Sequence, residues 1–269
     1  MRLRPLLALS LLAACGKATF PAARLPEAVR ELCLKEQKID VRAQLVGKTL
    51  YIACDLEGLV TDDLDFRRDT LETFEGLMLS GTRASLSTDA TVDFLVVQAK
   101  DPRLKASITI LRYIPDIKGL IYMRYSRSDF EDRMVLESDA ESTEASTATW
   151  HDVDVAEFMA RLVASRLQRR LSGNPLVSVM LQIRSIRGRV EGGDLILTLE
   201  RGDKASTDSP VNAVLETAVQ EVASDVLRKY DPQSAEVQRV GLEDDRGTAL
   251  WDRAATDLLS PSPKPLVSR

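Results

Sequence analysis

Side chains capable of chemistry are scarce in this chain, which has three cysteines and one histidine among 269 residues. Cys33 and Cys54 lie far outside the Cys-x-x-Cys spacing of a thiol–disulfide exchange site. They are a candidate disulfide stapling a helix to a strand, the alternative being two buried free thiols that pack as small hydrophobes. His151 stands between Trp150 and Asp152. One histidine excludes a metal site built from several imidazoles, and no Gly-x-Ser-x-Gly turn supplies a nucleophile for it to serve. It reads as a solvated flank at the start of a helix. Asp62, Asp63 and Asp65 gather oxygen ligands on one segment, yet the spacing is not that of an EF-hand loop and no glutamate closes it. Carboxylates ahead of a helix complement its positive end, so capping is their expected role. No glycine-rich phosphate loop occurs. These residues predict no catalytic group, no metal and no cofactor.

One mixed-charge stretch remains. Arg124, Tyr125, Arg127, Phe130 and Arg133 are interleaved with Asp129, Glu131 and Asp132. Arginine and tyrosine recur at binding hot spots, which makes these five residues a candidate interaction surface. An ordinary salt-bridged surface would have the same composition. Arg161, Arg166, Arg169 and Arg170 fall mostly opposite an apolar helical stripe and read as its solvated face.

The elements that must position these residues follow from periodicity. Pro26 suits the first turn of a helix running to about Gln37, with Val29, Leu32 and Cys33 on one face. Val41, Ala43 and Leu45 alternate with polar residues as a half-buried strand does. After a Gly47-Lys48 turn, Leu50, Ile52, Cys54 and Leu56 continue as its return strand. A helix with Leu71, Phe74, Leu77 and Met78 inward and a strand over Val92–Ala99 complete an α-β-β-α-β order. Ile108–Ile114 and Leu120–Tyr125 predict a further hairpin around Pro115-Asp116, and Ser128–Met134 a helical turn.

The same order then recurs. Val155, Phe158, Met159, Leu162 and Val163 mark an amphipathic helix. Ile183, Ile186 and Val190 lead through Gly192-Gly193 to Leu195, Leu197 and Leu199. Ser209-Pro210 is a helix start, followed by the stripe Val211, Val214, Leu215, Ala218 and Val222. Val237 and Val240 suggest a closing strand, and Ala249–Leu259 a last helix. At an offset of 145, Arg42, Gly47 and Leu50 match Arg187, Gly192 and Leu195; at 144, Leu71-Glu72-Thr73 matches Leu215-Glu216-Thr217. The expected fold is α+β, two duplicated α-β-β-α-β two-layer modules with antiparallel sheets and helices on one face.

At the amino terminus, Arg2 and Arg4 precede the short apolar run Leu6–Leu12 and then Leu12-Ala13-Ala14-Cys15. The run is too short to span a bilayer and reads as an export signal. Its ending resembles the lipobox of bacterial lipoproteins. That resemblance implies removal of residues 1–14, lipidation of Cys15 and a membrane held through acyl chains. In Gram-negative lipoproteins, Gly16 in place of aspartate after that cysteine implies the outer membrane, facing the periplasm. With two of 36 basic residues and none of 41 acidic ones in the signal, the mature chain carries −7. That balance argues against a nucleic-acid partner.

The expected organisation is a signal over 1–14, a lipidated tether over 15–25, a first module over 26–137, a Ser/Thr-rich linker over 138–150, a second module over 151–259 and a disordered tail over 260–269. The α-β-β-α-β order resembles the ring-building motif of secretion and sporulation lipoproteins, which implies assembly with an envelope protein partner. The resulting expectation is a non-catalytic, membrane-anchored binding or assembly module of the bacterial cell envelope. The alternatives are an envelope hydrolase using a carboxylate pair, or a carrier of an apolar ligand.

Overall fold

The computed structural model describes residues 19–58, 68–103, 106–139, 150–202 and 209–260. Cys15 and its flanks, the acidic run Asp62, Asp63 and Asp65, most of the linker and the tail beyond Ser260 lie outside them. So do the side chains of Leu71 and Val211. The fold is α+β, with a five-stranded sheet in the order β1-β2-β3-β4-β5, a four-stranded sheet β6-β7-β8-β9, and helices packed on them. Two compact units divide the chain. One takes the residues up to Thr109 with Ser138–Asp152; the other takes Ile110–Glu137 and everything from Val153.

In the first unit, Pro26 sits in the first turn of α1 (Leu25–Gln37), which ends where Lys38 turns left-handed at φ 62°. Leu25, Val29 and Cys33, four residues apart, are fully buried along one stripe. Strands β1 (Arg42–Val46) and β2 (Thr49–Asp55) form the hairpin around Gly47-Lys48, with Gly47 at φ +56°. The chain continues through α2 (Arg68–Leu86) and β3 (Phe94–Asp101) to β4 (Ala106–Tyr113). The element order is the expected one, but the sheet is mixed rather than antiparallel. Because α2 carries the chain back to the starting end, β2 and β3 run parallel.

Six consecutive residues of β2 are buried, which one packed face alone would not achieve. Ile52 points at Gly81 of α2. On the opposite face, Trp150 stacks on Tyr51 with ring centroids 5.3 Å apart, and the Tyr51 hydroxyl donates to the His151 carbonyl at 2.7 Å. Asp152 accepts from the Lys48 amide at 2.7 Å and from the Thr49 hydroxyl at 3.2 Å. The end of the expected linker is thus bound to the hairpin, while the His151 ring side stays exposed.

The second unit contains α3 (Ile114–Ile121), α4 (Arg127–Glu131), the first three residues of β5 (Val135–Asp139), α5 (Val155–Ser172), α6 (Pro175–Leu181), β6 (Ile183–Glu191), β7 (Asp194–Arg201), α7 (Ser209–Lys229), β8 (Arg239–Asp244), β9 (Ala249–Ala254) and α8 (Ala255–Leu259). Its sheet is mixed for the same reason as the first: α7 is a crossover that makes β7 and β8 parallel. The registers repeat as well. Leu45 pairs with Leu50 and Leu50 with Leu95; 145 residues on, Val190 pairs with Leu195 and Leu195 with Val240.

The structure departs from the expected elements in four places. Only the first half of the hairpin expected over 108–125 is a strand, because Pro115, with its fixed φ, opens α3 instead of turning the chain. Strand β5 extends through Ser138 and Asp139, so the linker starts later than 138. Ala249–Ala254 is a strand, turned at Gly247 (φ +78°) and paired so that Trp251 lies opposite Leu242; only Ala255–Leu259 is helical. Residues 110–137 belong with the second unit, where Tyr113 meets Phe158 of α5 and Asp116 meets Tyr230, the residue after α7.

Smaller departures share one cause, a helix that packs on more than one side. Val214 is 47% exposed, and Val219 and Val226 take the core positions on α7. Arg161 and Arg166 are not solvated. Each is only 16% exposed, Arg161 pairing with Glu137 at 2.6 Å and Arg166 with Asp225 at 2.6 Å. Arg169 and Arg170 do face solvent.

Helix α5 lies so close to β6 that a Cβ on Gly188 would overlap the Ala160 carbonyl. A backbone atom cannot swing aside as a side-chain end can. Gly188→Ala is therefore expected to cost about 1–3 kcal/mol as an overpacking change, read as a lower denaturant midpoint.

Candidate functional site

Between β4 and β5 the chain makes an excursion, residues 114–134, that contains all five residues of the candidate surface. Its base is buried. Asp116 on α3 accepts a hydrogen bond from Arg133 Nη1 at 3.0 Å through Oδ1, and one from the hydroxyl of Tyr230, the residue after α7, through Oδ2. Burial lifts the Asp116 carboxyl above its ordinary range, while Tyr230 and Arg133 pull it part of the way back. The Tyr230 hydroxyl is pushed well above its usual value by burial and by the adjacent carboxylate.

Around this pair the rings of Tyr113, Phe158 and Tyr230 meet at centroid distances of 5.3–6.1 Å. The Arg133 guanidinium lies 4.0 Å over the Tyr125 ring. Arg112 lies 4.2 Å over Phe130, and burial lowers its guanidinium to about 10. Beside the excursion, Ser165 of α5 engages β5 twice, accepting from the Leu136 amide at 3.0 Å and donating to its carbonyl at 2.8 Å.

The far end of the excursion is fixed but uncovered. The last turn of α3 closes through Tyr122 N–H to Lys118 O at 2.9 Å, Met123 N–H to Leu120 O at 2.9 Å and Arg124 N–H to Gly119 O at 2.8 Å. Met123 is left-handed at φ 55°. Gly119 gives Tyr125 the space to fold back on α3, since a Cβ there would strike the ring. Ser126 and Asp129 form a reciprocal capping box that starts α4. This frame presents Ile121, Tyr122 and Met123 to solvent at 57%, 70% and 91% exposure.

Of the five candidate residues, Arg124 and Arg127 are exposed, Tyr125 and Phe130 half-buried, and Arg133 buried. Arg133 therefore belongs to the anchor and is removed from the contact surface. The exposed apolar triple is new. Its sequence signal was the unbroken Leu120-Ile121-Tyr122-Met123 run, which lacks the alternation of a half-buried hairpin strand.

Both Asp116 oxygens are engaged by protein donors. Among the described residues, no group of three or more His, Cys, Asp or Glu side chains is placed to hold a metal. Cys33 and Cys54 share the core of the first unit as buried, unbonded thiols. Burial pushes Cys33 up to about 11 and Cys54 up to about 12. In the chain from residue 15 with Cys15→Ser, neither thiol is expected to alkylate at pH 8 while folded, and both on denaturation without reductant, read as mass adducts. A disulfide would give none. The chain matches no protein-family model and no curated protein.

Proposed function

We propose that this chain is a bacterial lipoprotein, anchored through Cys15, that serves as a non-catalytic binding or assembly module at an envelope membrane. The 114–134 excursion is its contact element. The observation that carries this reading is the triple Ile121, Tyr122 and Met123, held outward on a buried ionic and aromatic anchor. An exposed cluster on a rigid support marks a contact surface, whereas apolar residues scattered singly need no explanation. Support for the anchor comes from the lipobox resemblance. Among the described residues no helix is long and apolar enough to cross a membrane.

A photoreactive side chain at position 123, introduced in intact cells, tests the contact role. The expected result is a crosslinked envelope component, protein or lipid, at a yield well above that from the exposed positions Leu34 and Leu79. Equal yields at all three positions overturn it. Fatty-acid labelling that is abolished by Cys15→Ser tests the anchor separately.

A further inference from the structure

We infer that the tip of the excursion seats in the headgroup region of an anionic bilayer, giving the tethered protein a second, non-covalent hold on its membrane. The inference rests on the reading of the chain as membrane-anchored and names what the same tip touches. Two observations select lipid over a protein groove, and a third lowers the ordering cost of binding.

The first is chemistry. From Ile117 to Ser128 the chain carries Lys118, Arg124 and Arg127 and no acidic residue, while the exposed carboxylates Asp129, Glu131 and Asp132 follow on α4 and at its end. Lys118 and Arg124 are exposed and bracket the apolar triple, while Arg127 is paired with Glu131 at 3.2 Å. Apolar side chains rimmed by long cationic ones, with a tyrosine among them, suit the boundary between acyl chains and anionic headgroups. The second is size. Three side chains at these exposures offer on the order of 400 Å², about half of what one partner contributes to a standard protein interface. A wedge that enters a fluid needs no matching pocket. The third is rigidity. The hydrogen-bonded turn and the left-handed Met123 hold the apolar groups outward in the free protein, so little ordering is required on binding.

The test uses the chain from residue 15 with Cys15→Ser, which removes the acyl contribution. Co-sedimentation is measured with vesicles of phosphatidylethanolamine and phosphatidylglycerol, and with vesicles of phosphatidylcholine alone. Wild type is expected to partition onto the anionic vesicles. Met123→Asp and Tyr122→Ser should each weaken partitioning about tenfold or more, and Lys118→Gln with Arg124→Gln should weaken it and flatten its salt dependence. Both tip positions are exposed, so unchanged thermal unfolding of these variants separates the effect from misfolding. Absence of wild-type binding, or binding unaffected by Met123→Asp, overturns the inference. So does a crosslink from position 123 to protein alone, which reassigns the tip to a protein partner. Absence of fatty-acid labelling in the wild-type chain overturns the anchor reading and leaves the vesicle result intact.

Discussion

Asp116→Leu is expected to destabilise the second unit by about 3–5 kcal/mol, because it strands the Arg133 guanidinium in a site that excludes water. Arg133→Leu should cost a similar amount by stranding the carboxylate. The double variant Asp116→Leu with Arg133→Leu should recover at least half of either loss, since two apolar groups of similar volume remove the desolvation penalty together with the attraction. Urea unfolding followed by tryptophan fluorescence reads this directly. Trp251 is buried in the second unit and Trp150 belongs to the first, so Trp150→Phe protein reports the second unit alone. A double variant as unstable as the sum of its parents would exclude the buried pair as the cause. The pH dependence has a definite sign. Burial raises the folded Asp116 pKa, so the native state holds that proton more tightly than the unfolded chain. The contribution of this group then falls as pH rises through the window between the ordinary carboxylate value and the raised one, and Asp116→Asn removes that slope.

Much of the scaffold was legible because it is locally coded. The stripe Val29, Leu32 and Cys33 and the two-residue turns at Gly47-Lys48 and Gly192-Gly193 are read from spacing alone; the structure buries Val29 and Cys33, half-buries Leu32 and turns a hairpin at both places. Strand direction was not legible in the same way. Parallel pairing of β2 with β3 depends on which end of the sheet a crossover helix returns to, and hydrophobic period carries no such information. Strand β9 was hidden because Ala249, Leu250, Trp251 and Ala254 also fit a helical stripe; the turn at Gly247 decides the matter. The candidate surface was half legible. Arginine and tyrosine content drew attention to residues 124–133, but composition cannot distinguish Arg124 in solvent from Arg133 in a core. That difference is made by Asp116 and Tyr230, separated from each other by 114 residues. The exposed triple is hidden in the sequence, because an apolar run is ordinarily assigned to the interior; its exposure follows only from the turn that ends α3.

The anchor also makes a remote residue a control on the tip. Phe158 on α5 is fully buried, with its ring 5.3 Å from Tyr230 and 5.8 Å from Tyr113. Phe158→Ala should cost about 3–5 kcal/mol through lost burial and the cavity it leaves, and Phe158→Leu about half as much. More than volume is lost. Tyr230 is held in place by the Phe158 ring on one side and by its bond to Asp116 on the other. Releasing one should reduce what the other contributes. Tyr230→Phe removes only the hydroxyl, so Phe158→Ala combined with Tyr230→Phe is expected to fall short of the sum of the single effects by about 0.5–3 kcal/mol. Strict additivity would mean that the aromatic cluster and the ion pair act independently. The same coupling should reach the surface: Phe158→Leu, which leaves every tip residue unchanged, is expected to speed amide exchange at Met123 and Arg124, whose N–H groups close the last turn of α3. Exchange that stays at the wild-type rate would show the tip to be held by its own turn alone.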